Sequence, residues 1–319
     1  NPQIVAAPNN TLTAIWERYE GSNVIQTRTS SDAGATWSAV FDLSDDTEDA
    51  TIPGIVAASN NTLTAIWRRT NGTKYVIQTR TSSDAGATWS AVFDLSDDTQ
   101  NAYSQQLVAA PNNTLTAIWR RFNGTKYVIQ TRTSNDAGAT WSATVDVSDD
   151  TQSAYGQQIV AAPNNTLTAI WRRTNGTKTV VQTRTSSDAG ATWSATVDVS
   201  DDTQSAYNPQ IVAAPNNTLT AIWERFNGTT DVIRTRTSSD AGATWSAAVD
   251  LSDDTEDASY PQIVAAPNNT LTAIWERFDG SKNVIQSSSV APSSSSSSSA
   301  SADAGVPGIF LTVAGPVGR

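Results

Sequence analysis

The chain has 319 residues, with 31 Asp and Glu against 20 Lys and Arg, a net charge of -11 and a pI near 4.4. That balance repels phosphate backbones and excludes nucleic acid and anionic membrane surfaces as partners. The lack of Cys, Met and His removes disulfides, thiolate chemistry and the commonest metal ligand and general base, so no metal site and no cofactor are expected. No stretch approaches the roughly 18 apolar residues that a membrane-spanning helix needs.

From its first residues the chain repeats itself. Asn1-Pro2-Gln3-Ile4 returns as Asn208-Pro209-Gln210-Ile211. Trp16, Trp67, Trp119, Trp171, Trp223 and Trp275 follow at intervals of 51 and then 52 residues, and Trp37, Trp89, Trp141, Trp193 and Trp245 keep 52 throughout. Units of this length suit four-stranded propeller blades. Within one unit, residues 209–260, the apolar segment Gln210–Ala214 predicts a short innermost strand. Thr218–Arg225 alternates, with Leu219, Ala221 and Trp223 on one face, and predicts a second. Val232–Ser238 is rich in β-branched residues and predicts a third, and Thr244–Leu251 a fourth. Pro215-Asn216-Asn217 joins the first pair, and Asn227-Gly228 joins the second and third as a hairpin turn. No segment has helical periodicity. The fold class expected is an all-β, six-bladed propeller of four-stranded blades, over residues 1–289.

The third connection carries the most specific motif. Ser30-x-Asp32-x-Gly34-x-Thr36-Trp37 recurs around Asp84, Asp136, Asp188 and Asp240. A carboxylate accepting backbone N–H groups, a Gly at positive φ and a Trp anchor describe a tight turn. The five copies resemble the Asp-box, or bacterial neuraminidase, repeat of the sialidase-like propellers. That resemblance implies that the Asp boxes are structural and lie on the face away from the family's active site.

The last unit is short. Pro261–Ser289 supplies three strands and no Asp box, so the sixth blade lacks an outer strand. Residues 290–305 read as a Ser-rich linker. Residues 306–319 carry Ile309-Phe310-Leu311-Thr312-Val313, a candidate closing strand. The alternative is that the missing strand lies upstream of Asn1 in a longer protein.

With four strands per blade, the Asn-Gly hairpins and the crossovers between blades share one rim. The Asp boxes and Pro-Asn-Asn turns occupy the other. Variation between units gathers on the crossover rim. One Arg per blade, Arg18, Arg69, Arg121, Arg173, Arg225 and Arg277, sits two residues after a Trp. Each either forms part of a sugar pocket or packs its stem on Trp with its head paired to an acidic crossover. Glu17, Glu224 and Glu276 precede three of them, and Tyr103, Tyr155, Tyr207 and Tyr260 lie in the crossovers, suited to stacking on sugars. The crossover Asp pairs, such as Asp45-Asp46, match no defined calcium loop.

The resemblance raises the exo-α-sialidase reaction. Sialidases of this fold use an Arg triad, a Tyr activated by Glu and an Asp acid/base, drawn from different blades. Near-copied repeats offer little material for such an asymmetric set. The family's Arg-Ile-Pro motif has only Thr51-Ile52-Pro53 as a counterpart, and Tyr19-Glu20 is the one adjacent pair of the right types. The reading is therefore a non-catalytic, monomeric propeller, secreted or at the cell surface, that binds glycans or surface polysaccharide through several copied sites. A sialidase and a passive repeat scaffold are the alternatives.

Overall fold

The computed structural model describes residues 1–290. Blade 1 holds β1 (Gln3–Ala6), β2 (Leu12–Tyr19), β3 (Asn23–Ser30) and β4 (Phe41–Asp42). Blade 2 holds β5 (Ala50–Ala57), β6 (Leu63–Thr70), β7 (Tyr75–Ser82) and β8 (Phe93–Asp94). Blade 3 holds β9 (Ala102–Ala109), β10 (Leu115–Phe122), β11 (Tyr127–Ser134) and β12 (Val145–Asp146). Blade 4 holds β13 (Ala154–Ala161), β14 (Leu167–Thr174), β15 (Thr179–Ser186) and β16 (Val197–Asp198). Blade 5 holds β17 (Ala206–Ala213), β18 (Leu219–Phe226), β19 (Asp231–Ser238) and β20 (Val249–Asp250). Blade 6 has three described strands, β21 (Ala258–Ala265), β22 (Leu271–Phe278) and β23 (Asn283–Val290).

Each blade is an antiparallel meander in sequence order. The innermost strands converge, and Pro8, Ser59, Pro111, Pro163, Pro215 and Pro267 border one central opening of about 670 Å³. The fold is a six-bladed β-propeller. The expected elements need three corrections. The innermost strands of blades 2–6 start earlier than the apolar pattern indicates, because a bulge carries the ladder past it: Ala206 pairs Arg225, and the register shifts between Tyr207 and Gln210. The fourth strand shrinks to two residues, because after the Asp-box Trp245 the chain runs on without ladder pairs and only Val249 and Asp250 pair with the third strand. The Asn-Gly hairpin is a four-residue loop, with Phe226 opposite Asp231 and Asn227 Oδ1 accepting from the N–H groups of Thr229 and Thr230. The linker and closing segment expected after Ser289 lie outside the described residues, apart from Val290, which ends β23.

Blades cohere through their faces. Between blades 1 and 2, Ile15, Ile25 and Leu43 meet Ala50, Leu63, Trp67 and Trp89. The same pattern brings Trp119 with Trp141, Trp171 with Trp193, and Trp223 with Trp245 into the next three junctions. Trp67, Trp119, Trp171 and Trp223 are no more than 1% exposed. Each indole buries on the order of 200 Å², roughly 5 kcal/mol of transfer free energy at about 25 cal/mol per Å². A polar belt reinforces the junctions on the Asp-box rim, where Asn9, Asn60, Asn112, Asn164 and Asn216 each donate a backbone N–H to an Asn side chain of the next blade at 2.9 Å. Blades 6 and 1 lack this sealing among the described residues. There Ile4 is 61% exposed and Ile285 68%, whereas Ile55 and Ile233, their counterparts in blades 2 and 5, are buried.

Candidate functional site

Local chemistry fixes the two rims. In the Asp box, Asp32 Oδ1 accepts from Ser30 Oγ at 2.7 Å and from Thr36 N at 2.8 Å, and Oδ2 accepts from Thr36 Oγ1 at 2.5 Å. These bonds, the Thr36 hydroxyl foremost, hold the Asp32 carboxyl down at about 2. Asp84, Asp136, Asp188 and Asp240 repeat the geometry and the value. All five carboxylates are spent on their own turns.

The crossover rim is occupied more selectively than six copied pockets require. Arg69 grips Asp45 with two bonds, at 2.7 and 2.5 Å. Arg121, Arg173, Arg225 and Arg277 hold Asp97, Asp149, Asp201 and Asp253 through one bond each, at 2.5, 2.5, 3.0 and 2.6 Å, and donate a second to the Thr two residues further on. Arg18 turns to Glu20 instead, at 2.9 Å. In blades 2–6 the per-blade Arg therefore staples its blade to the preceding crossover, and its head has little left for a ligand. Each crossover Asp also closes a turn on the Thr two residues later, as Asp45 does on Thr47, and no cluster of potential metal ligands exists among the described residues.

The Glu positions are also engaged. Glu17 accepts from the backbone N–H of Ile52, and Glu224 from that of Tyr260. Both donors are crossover bulge residues at positive φ. Glu224 also accepts from Asn208 Nδ2 at 2.7 Å, and burial pushes its carboxyl up. Glu276 takes a bond from Asn283 at 2.6 Å. Tyr260 is not the counterpart of the other crossover tyrosines. Tyr207 lies opposite Glu224 as Ser259 lies opposite Glu276, so Tyr260 falls one position later, on the bulge, and is 66% exposed.

The residue that sequence reading passed over is the one directly after Trp in blades 2, 3 and 4. Alternation turns Arg68, Arg120 and Arg172 away from the Trp face and toward the crossover tyrosines; Arg120 pairs opposite Tyr103, and Arg172 opposite Tyr155. The Arg120 guanidinium lies 4.8 Å from the Tyr127 ring centre, 5.1 Å from Tyr155 and 5.5 Å from Tyr103. Arg68 sits 4.5 Å over Tyr75, and Arg172 5.5 Å from Tyr207. The rings touch in turn: Tyr75 to Tyr103 at 5.5 Å, Tyr103 to Tyr127 at 6.2 Å and Tyr127 to Tyr155 at 5.5 Å, with Phe122 flanking Tyr127 at 5.3 Å. Burial pushes the Tyr103 hydroxyl up, aided by its phenol neighbours. Arg120 and Arg172 have no carboxylate partner among the described residues, unlike the staple arginines. The hairpin Tyr gives way to Thr179 in blade 4, and the arc ends at blade 5, where Glu224 replaces Arg and Asp231 takes the hairpin position; burial, with Asp257 adding to it, raises the Asp231 carboxyl. The signal available in the sequence was the switch from Glu to Arg after Trp in blades 2–4, coinciding with Tyr in the hairpins of blades 2 and 3.

A BNR repeat-like domain model matches residues 1–171, more than half of the chain. The chain belongs to the BNR repeat-like family. This BNR-repeat protein matches no curated protein, but it is similar in fold to many solved structures. One is a protein of unknown function from Dyadobacter fermentans, at 15% identity and a TM-score of 0.58, covering 90% of this chain and 93% of that one. Another is an α-L-arabinofuranosidase from Fusarium graminearum, at 17% identity and 0.54, covering 91% and 92%. The Hadza microbial sialidase Hz136 matches at 17% identity and 0.53, covering 86% of this chain and 62% of its own. At these identities the likeness establishes the fold, a sialidase-like propeller.

Proposed function

We propose that this BNR-repeat propeller is a non-catalytic glycan-binding module, and that its binding surface is the aromatic and arginine arc of blades 2–4. The observation that carries the reading is the unbroken run Tyr75–Tyr103–Tyr127–Tyr155 with the Arg120 guanidinium set among three of its rings. Phenol rings offer an apolar face to the C–H side of a sugar ring and a hydroxyl at the edge. A guanidinium with no carboxylate partner offers directed donors to hydroxyl or carboxylate oxygens. The rim is the one opposite the Asp boxes, and proteins of similar fold include a sialidase and an α-L-arabinofuranosidase. On this reading the protein works as a monomer, outside the cell or at its surface.

Catalysis is the second reading, favoured by Glu224, whose raised carboxyl beside Arg172 has the character of a proton donor. Against it, glycoside hydrolysis needs a second group as nucleophile or base, and Glu224 already accepts two hydrogen bonds from its own scaffold. The test is a glycan array run beside turnover assays with fluorogenic sialosides and arabinofuranosides. Binding to one glycan class without turnover is the expected result. Turnover that Glu224→Gln abolishes would replace the binding reading with the enzymatic one, and a blank array without turnover would leave a scaffold.

A further inference from the structure

At four blade junctions the Asp box of the later blade is seated on the blade before it. A Cβ added to Gly190 would lie 2.8 Å from Thr133 Cγ2 of the preceding blade and 3.6 Å from Leu167 Cδ1, and Trp193 packs into the same junction. The junction of blades 5 and 6 receives no such box from the sequence. Val290 stands where Ser238 opens the motif, and the position 52 residues after Trp245 is Ser297. The seat there is a groove of about 180 Å³, lined by Thr237, Val249, Leu251, Ile263, Leu271 and Val290. Thr237 and Leu271 are the counterparts of Thr133 and Leu167, and Thr237 is exposed where Thr133 is buried.

We infer that Phe310 of this same chain occupies that groove and stands in for the sixth Asp-box Trp. Four junctions show that the seat takes an aromatic ring. A dry apolar cavity of about 150 Å³ accepts benzene, so a benzyl side chain fits one of this size. Phe310 is the only aromatic residue after Phe278, and it lies within the apolar stretch Ile309–Val313. Val290 lines the groove itself, and an extended chain from there to Phe310 reaches about 65 Å. A four-stranded blade is only about 15 Å across, so the return is short for the chain available.

The chain has no Cys, which makes the test clean. Thr237→Cys and Leu311→Cys in the full-length protein, oxidised at low concentration, are expected to form an intramolecular disulfide. Adding Phe310→Ala should cut its yield at least fivefold, and Phe310→Trp should preserve it. Phe310→Ala alone should lower Tm by about 4–8 °C. An intermolecular disulfide would assign the groove to a second copy, and no disulfide at all would assign it to another partner. A yield indifferent to Phe310→Ala would remove Phe310 from the groove. Any of these three results overturns the inference.

Discussion

Single side chains in this protein are committed to turns and staples, and their titration follows from that. The Asp-box carboxyls sit near 2 in the fold, against an ordinary value of 3.8. A depressed acid stabilises the fold above its unfolded value, and the contribution is lost as the pH falls through the folded one. Tm should therefore be nearly flat above pH 5 and fall between about pH 4 and 2. Asp84→Asn, Asp136→Asn and Asp188→Asn combined should lower Tm at pH 7 and flatten that acid limb; a limb as steep as in the parent would contradict the assignment. Glu224 runs the other way. Burial raises its carboxyl, so folding binds the proton more tightly, and the ionised form carries a penalty above the folded value. Thermal melts of Glu224→Gln should show a Tm relative to the parent that is more favourable at pH 7 than at pH 4. The Asp-box residues were readable in advance because the motif contains all of its own partners. The fate of Glu224 was not, since its partners Asn208 and Tyr260 come from two different crossovers.

At the level of the blade, a period-2 pattern and turn residues located the second and third strands to within a residue. The innermost and outermost strands were harder to read for a physical reason. A bulge breaks the alternation of the first, and the fourth makes only two ladder pairs, such as Arg234 with Asp250 and Thr235 with Val249, before the chain departs. That bulge also explains Tyr260, which a one-residue offset moves out of the tyrosine series. Blade packing predicts an asymmetry among equivalent glycines. Gly190 and Gly34 both have positive φ, but a Cβ on Gly34 meets nothing nearer than 3.8 Å, while one on Gly190 meets Thr133. Gly190→Ala should cost about 1–3 kcal/mol more than Gly34→Ala, from overpacking at a sealed junction. Equal losses in denaturant melts would show that backbone strain alone sets both.

Across the whole molecule, the repeat announces a six-bladed ring through its Trp spacing, yet the ring is not symmetric in what it presents. Blades 2–4 carry Arg after Trp, while blades 1, 5 and 6 carry Glu, so the crossover rim divides into an aromatic, cationic arc and an acidic one. Near-identical repeats suggested several copied sites. The arc is instead continuous across three blades, because hairpin Tyr75 touches Tyr103 of the next blade and Tyr127 touches Tyr155. Such contacts join the hairpin of one unit to the crossover strand of the next, 28 residues on, and are invisible in a sequence read unit by unit. On the proposed glycan-binding function this arc makes one extended site, not six, and calorimetric titration with a glycan identified on the array tests that directly. A stoichiometry of about one is expected, with Tyr127→Ala and Arg120→Gln each weakening binding at least tenfold, roughly 1.4 kcal/mol, while Arg277→Gln leaves affinity unchanged. Unaltered affinity in Tyr127→Ala and Arg120→Gln, in protein that melts as the parent does, would contradict it.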